Sequence, residues 1–306
     1  MSYSHGHVSG LPRWDRCAVM GVVNVTPDSF SDGGRWFDTE AAIKRGLALV
    51  TEGADLIDVG GESTRPGASR VDEAEELRRV VPVVRALAAE GAVVSVDTMR
   101  ASVARAAVAA GARVVNDVSG GRADPGMVPS VAEAGVPFVV MHWRGQSVDM
   151  NERAVYADVV GEVVAELRES VERAVAGGIP AERLIADPGL GFAKQAAHDL
   201  ALVAATARLR AELGLPLLVA ASRKRFLGRA LVPPGAAPPP ARARDAATAA
   251  VTALAAGAGA WAVRVHEVRA NADAVRVVRA VGGADGRGDD GAAVGGTAAG
   301  AGGGGS

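Results

Sequence analysis

The sequence predicts an α/β fold, a closed (β/α)8 TIM barrel with a disordered Gly/Ala-rich C-terminal tail. Three observations carry that prediction. About eight short apolar runs, Val-rich like buried strands, each lead into a segment of helical periodicity. Nearly every run ends in polar residues, which a barrel would gather at one mouth. Hydrophobic residues make up 49% of the chain but aromatics only 4%, so the core must be built mainly from Ala, Val and Leu, as in parallel barrels and their outer helices. Length alone leaves the choice open, since 306 residues would also fill two ordinary domains.

The first strand is residues 18–23, a buried run of Val, Ala and Met that stops at Asn24. It opens into Asn24-Val-Thr-Pro-Asp-Ser-Phe-Ser-Asp-Gly-Gly34, a loop of amide, carboxylate and hydroxyl oxygens with a flexible Gly-Gly exit. A helix follows over 39–52, with Ile43, Leu47 and Val50 at helical spacing, then a strand over 56–59. Asp72 with Glu75 reads as a capping box opening a helix to about residue 89, with Leu77, Val80, Val84 and Leu87 facing inward. The alternation continues through strand 93–96, helix 101–110, strand 114–115, helix 127–134, strand 136–141 and a long helix over 155–176. It ends with strand 184–186, helix 199–213, strand 217–220, helix 245–256, strand 260–265 and helix 270–281. The Pro-rich stretch 232–240 falls after the seventh strand and reads as a surface excursion, not a domain boundary.

The barrel is therefore expected over residues 13–281. Residues 1–12 lack periodicity and read as a flexible arm, and 282–306 offer almost nothing to bury and read as a disordered tail. A net charge of −2 gives no electrostatic reason to expect nucleic acid or an anionic membrane as partner. The single cysteine, Cys17, excludes an internal disulfide and a cysteine-cluster metal site, and fits a reducing cytoplasm. No secretory signal pattern and no membrane-length apolar run is present.

The strand ends supply the candidate site. Asp97, Asn116 and Asp187 would point inward from three strands, and two carboxylates with an amide suit a flat heterocycle carrying ring N–H and amino donors. Lys224 adds a cation that can donate to a ring carbonyl and keep the acids from repelling one another. Taken singly, Asp97 could instead cap a helix and Asn116 could hold a turn. Arg264 and His266 alternate on the last strand and so share a face, where Arg offers a planar fork for phosphate or a stacking surface and His266 could simply be a satisfied polar residue. The loop after Asp58, Gly60-Gly-Glu-Ser-Thr-Arg-Pro-Gly67, is too long and glycine-rich for a tight connection and reads as a closing loop, with Arg65 either following an anion or a solvated charge. The Asn24 loop suits a hydrated divalent cation with phosphate oxygens, or is an ordinary Asp/Ser/Gly turn. Gly189 and Gly191 form no dinucleotide fingerprint, and His142 has no second His or Cys near it in sequence, which argues against zinc.

These blocks together resemble the dihydropteroate synthases of folate biosynthesis, in an actinobacterial-like version, over roughly residues 17–281. The resemblance rests on the Asn24 loop, Asp58-Val-Gly-Gly-Glu-Ser-Thr-Arg-Pro-Gly67, Ser95-Val-Asp-Thr98, Asn116-Asp-Val-Ser-Gly120, Met141-His142, Asp187-Pro-Gly-Leu-Gly-Phe192 with Lys194, Ser222-Arg-Lys224 and Arg264-Val-His266, in that order. It implies condensation of 6-hydroxymethyl-7,8-dihydropterin diphosphate with 4-aminobenzoate, giving 7,8-dihydropteroate and pyrophosphate. By the same resemblance Asp97, Asn116, Asp187 and Lys224 hold the pterin, Met141 and Phe192 line its slot, and Arg264 stacks on the ring. Asn24 binds Mg2+ with the diphosphate, which Arg65, Arg264 and His266 also hold, and Phe30, Thr64, Pro66 and Ser222 frame the 4-aminobenzoate pocket. Asp97, Lys224, Arg264 and Asn24 are the expected catalytic set. A homodimer is the expected assembly. Two alternatives are a pterin-dependent methyltransferase on the same barrel and a non-catalytic pterin-binding paralogue.

Overall fold

The computed structural model describes residues 6–26, 35–62, 71–145 and 153–285. Strands and helices alternate as β1 (Ala18–Asn24), α1 (Arg35–Glu52), β2 (Leu56–Gly60), α2 (Glu73–Ala89), β3 (Val94–Asp97), α3 (Ala101–Ala109), β4 (Val114–Asp117), α4 (Met127–Ala134) and β5 (Phe138–Met141). They continue as α5 (Val159–Ala176), β6 (Leu184–Asp187), α6 (Ala196–Ala204), α7 (Thr206–Leu213), β7 (Leu218–Val219), α8 (Arg225–Ala230), α9 (Asp245–Gly257), β8 (Ala262–Val265) and α10 (Arg269–Asp285). All strand pairs are parallel, in the order β6-β5-β4-β3-β2-β1-β8-β7. The two ends of that sheet meet through a parallel bridge between Ala186 and Leu217, so the sheet closes as the expected (β/α)8 barrel.

Two apolar layers hold it. One lies between strands and helices, with Val19, Ile57, Val96, Val115 and Phe138 packed on Leu49, Val84, Val103 and Leu167. The other fills the barrel's lower interior, with Met20, Leu56, Val114, Val139, Ile185 and Leu218 converging on one another. Strands buried on both faces read as continuous Val/Ile/Leu runs, which is why they stood out in the sequence.

The inner layer also contains Val8 and Leu11, both buried, with Trp14 packed against it and edge-on to Trp261 at 5.9 Å between ring centroids. Ser9 N–H donates to the Glu182 carbonyl at 2.8 Å. Residues 6–12 are therefore not a flexible arm but a plug under the strand starts. The physical reason is that an open barrel end exposes an apolar ring, and two non-periodic apolar side chains suffice to cover it. Leu11→Ala should lower unfolding stability by about 2–4 kcal/mol, because the plug cannot collapse into the space left. A shift in the urea midpoint at unchanged slope would register it.

Other boundaries also move. Asp72 does cap α2, its carboxylate accepting from Glu75 N–H at 2.7 Å, but the Glu75 carboxylate turns to Arg78 and Arg79 and does not complete the box. On α1 it is Ala42 and Leu49 that are fully buried, whereas Val50 is exposed. The helix expected over 199–213 is two, α6 and α7, broken at Ala205. Helix α8 follows Lys224 directly and is too short to show a period in the sequence. The Pro-rich stretch 232–240 is largely exposed, as expected of a surface excursion. Helix α10 extends the ordered barrel to Asp285, beyond the expected 281, and the tail from 286 lies outside the described residues. Among the described residues no helix is long and apolar enough to cross a membrane.

Candidate active site

Parallel pairing sets the site's geometry. Asn24, Gly60, Asp97 and Asn116 stand in one register row across β1 to β4, and Met141 pairs with Asp187 across β5 and β6. Asp97, Asn116, Met141 and Asp187 are all buried.

Arg264 on β8 reaches across the barrel. Its Nε donates to Asp58 Oδ2 at 2.6 Å and its Nη2 to Asp97 Oδ2 at 2.7 Å. Asn116 Nδ2 donates to the same Asp58 Oδ2 at 3.0 Å. Asp58 is 0% exposed and lies one register layer below the Asp97 row, where it orients both the guanidinium and the amide that face the mouth. The sequence placed Asp58 at a strand end without a role; the signal was its alternation with Leu56 and Gly60, which puts it inside the barrel. Asp97 therefore does not cap the next helix: α3 has Arg100 at its N-cap, and Asp124 accepts from Ala101 N–H.

Burial raises the Asp97 pKa from 3.8 to about 7, against the pull of Arg264, and nearby Asp58 pushes the same way as burial. Arg264 is itself enclosed, yet Asp58 and Asp97 hold it firmly charged. The pair's attraction thus only partly offsets the loss of water around the acid. Burial also raises the Asp187 pKa, with Lys224 the largest opposing influence. The Lys224 pKa is lowered by burial to about 8, opposed chiefly by Asp187.

Lys224 is placed by the loop after β6. Its Nζ donates to the Leu190 carbonyl and lies 4.8 Å from the centre of the Phe192 ring. Asp187 Oδ1 accepts from Gly189 N–H at 2.7 Å. Gly189 and Gly191 adopt φ of +67° and +75°, and a Cβ would come within 2.4 Å of the His142 carbonyl oxygen and 2.9 Å of Lys224 Cδ, respectively. These glycines carry no phosphate signature; they permit this close packing. Between Ser222 and Lys224, Arg223 sits at φ +60° with its guanidinium in two hydrogen bonds to Asp245, so it backs away while its neighbours face the mouth.

Ser222 and His266 meet. The Ser222 hydroxyl lies 2.9 Å from His266 Nδ1 and accepts from His266 N–H at 3.2 Å. The pair ties the end of β8 to the segment after β7, with the direction of the Oγ–Nδ1 bond set by the imidazole tautomer. Asn24 ends β1 at the same mouth. Its single amide oxygen fits Mg2+, which takes one or two protein oxygens and leaves the rest to water and phosphate. Among the described residues no cluster of three His, Cys, Asp or Glu forms a protein-only metal cage. Phe30, Thr64, Arg65 and Pro66 lie outside the described residues.

A family described as pterin binding enzyme matches residues 20–266. Dihydropteroate synthase of Mycobacterium leprae is 58% identical over 263 residues, covering 86% of this chain and 92% of its own. The structure of Xanthomonas albilineans dihydropteroate synthase with 4-aminobenzoic acid is similar at a TM-score of 0.80 and 48% identity, covering 88% of this chain and 94% of that one. That of Yersinia pestis dihydropteroate synthase with a sulfonamide drug complex is similar at a TM-score of 0.82 and 40% identity, covering 90% and 98%. With the match spanning most of the chain and the strand-end groups gathered at one barrel mouth, the chain belongs to the dihydropteroate synthases, transferases of folate biosynthesis.

Proposed function

We propose that the chain condenses 6-hydroxymethyl-7,8-dihydropterin diphosphate with 4-aminobenzoate, giving 7,8-dihydropteroate and pyrophosphate, with the division of labour that follows. The observation that carries it is the convergence of Asp97, Asn116, Asp187, Lys224 and Arg264, from five different strand ends, into one charged network. Asp97 and Asp187 accept from the pterin's N–H groups, Asn116 both donates and accepts, and Lys224 donates to the ring carbonyl. Met141 and Phe192 bound the ring, and Arg264 lies along it. His266, with Arg264 and Arg65, meets the diphosphate; Ser222, with Phe30, Thr64 and Pro66, frames 4-aminobenzoate.

The carbon–oxygen bond to diphosphate breaks first, its electron pair leaving with the phosphate oxygen. The 4-aminobenzoate nitrogen then forms the new carbon–nitrogen bond and gives its extra proton to water. Asp97 and Asp187 favour the positive charge that develops on the ring, so no strong nucleophile or general base is needed. Asn24 would hold Mg2+ beside the diphosphate, where the ion supplies charge that stabilises the leaving group.

Three further points belong to this proposal. Leu254 on α9 and Val277 and Val281 on α10 are 64%, 61% and 60% exposed on two helices packed together, apolar side chains that a homodimer interface would cover. The buried free thiol of Cys17, its pKa pushed up by burial, is compatible with the cytoplasm. Sulfonamides, bound by the Yersinia pestis relative, are expected to compete with 4-aminobenzoate here.

Pyrophosphate release by purified protein tests the proposal. It should require both organic substrates and Mg2+, and sulfonamide should raise the apparent KM for 4-aminobenzoate at unchanged limiting rate. Pterin binding without pyrophosphate release would replace it with a non-catalytic pterin binder.

A further inference from the structure

Lys194 belongs to none of the strand ends, yet three acceptors converge on its ammonium beside the site. As a residue it is half-buried, with its ammonium turned inward. Nζ donates to the Gly189 carbonyl at 3.0 Å, to the Phe192 carbonyl at 3.1 Å and to His142 Nδ1 at 2.9 Å. An ammonium has three N–H donors for these three partners; a neutral amine would have to accept from Nδ1–H, which would leave a bare Nε2 against the Glu166 carboxylate.

The third acceptor is itself held. His142 is buried, and its Nε2 lies 3.0 Å from Glu166 Oε2 on α5. With Nδ1 accepting from Lys194, the ring is the neutral tautomer that donates Nε2–H to Glu166. Burial first, and Lys194 second, lower the His142 pKa to about 4, which keeps it neutral. Arg144 binds both Glu166 oxygens and also Glu162, and its guanidinium stacks 3.8 Å from the centre of the Tyr156 ring. Tyr156 OH in turn donates to the Ala193 carbonyl at 3.0 Å. A continuous polar chain thus runs from α5 into the loop between Asp187 and Lys194.

That loop shapes the pterin side of the site. The two carbonyls pinned by Lys194, those of Gly189 and Phe192, flank Leu190, whose own carbonyl accepts from Lys224. Burial lowers the Lys194 pKa, opposed by Asp199 and Asp187, while the three-acceptor geometry selects its charged form.

We propose that Lys194 is a positioning residue for pterin: its ammonium, oriented by His142 and Glu166, pins the loop that holds Phe192 and Lys224 in place. The inference rests on the pterin function proposed above. It separates from the chemistry of condensation because it concerns where Phe192 and Lys224 stand, not charge on the leaving group.

Calorimetric binding of 6-hydroxymethyl-7,8-dihydropterin diphosphate, with steady-state kinetics, tests it on wild type, Lys194→Met, His142→Asn and His142→Leu. Lys194→Met should weaken pterin binding and raise the pterin KM by about tenfold or more, the loss of a charge-assisted brace. The KM for 4-aminobenzoate and kcat at saturating pterin should move less than about threefold. His142→Asn retains an acceptor near the Nδ1 position and should bind pterin close to wild type, whereas His142→Leu should resemble Lys194→Met. The Lys194→Met/His142→Leu pair should be no worse than either single change, because both cut the same chain. Equal pterin binding by folded Lys194→Met and wild type would overturn the positioning role, as would a fall in kcat alone. If Lys194→Met does not fold, equal binding by His142→Asn and His142→Leu overturns it. Wild type that binds no pterin would instead overturn the function on which it rests.

Discussion

Asp97→Asn is expected to cut kcat/KM for the pterin diphosphate about a thousandfold while leaving the unfolding free energy within ~1 kcal/mol of the parent. The first figure follows from charge. A carboxylate about 4 Å from a developing cation contributes about 4 kcal/mol at an effective dielectric constant near 20, or about three powers of ten in rate. An amide of the same shape contributes little of that. The second figure follows from burial: Asn can still accept from Arg264 through its oxygen, and a neutral group avoids the enclosure that raises the Asp97 pKa to about 7. The pH profile supplies an independent check. Asp97 must be ionised to act, so wild-type kcat/KM should climb as pH rises towards a plateau above about 7, and the variant should lack this acid limb. A variant within tenfold of wild type would remove Asp97 from the catalytic set.

Arg264→Met should be costly for a different reason. It strips the cation from two acids, of which Asp58 is completely buried, and breaking such a network by removing one partner costs about 3–5 kcal/mol. The cost should depend on pH. The Asp97 pKa is already raised from 3.8 to about 7 with Arg264 opposing the shift, and loss of the guanidinium would raise it further. A carboxyl whose folded pKa lies above its unfolded one contributes stability that is complete below about 4 and is lost as pH rises through the folded value. The stability gap between variant and parent should therefore widen from pH 5 to pH 8, as read from urea unfolding at each pH. A gap of constant size would mean that Arg264 stabilises by packing alone.

The strand-end rule explains what could be read in advance. A parallel barrel delivers the last residue of each strand to one mouth, so Asp97, Asn116, Asp187, Lys224 and Arg264 could be grouped without knowing any contact. Asp58 could not be singled out, because its task depends on two side chains from distant strands. His142 in the sequence suggests at most a metal ligand: its partners Glu166 and Lys194 come from an outer helix and a loop, and no sequence period links 142 to 194. The N-terminal plug was hidden for a related reason. Val8 and Leu11 have no repeat to announce them, and only the closed barrel creates the surface they cover. Periodicity reports how a segment faces its own element's neighbours, and is silent on contacts made across the assembled fold.

The closure of the barrel has one more consequence. Strand β7 is only two residues long, joined to β8 by two register pairs and to β6 by the single Ala186–Leu217 bridge, whereas β1 and β2 share five pairs. A hoop fastened so unevenly is expected to open first at its thinnest staple. Asp187 stands at the top of one side of that seam, and Ser222 and Lys224 follow the other. The thinnest seam of the wall therefore lies beside the proposed pterin contacts, and faster amide exchange at Leu218 and Val219 than at Ile57 and Val59 would register it.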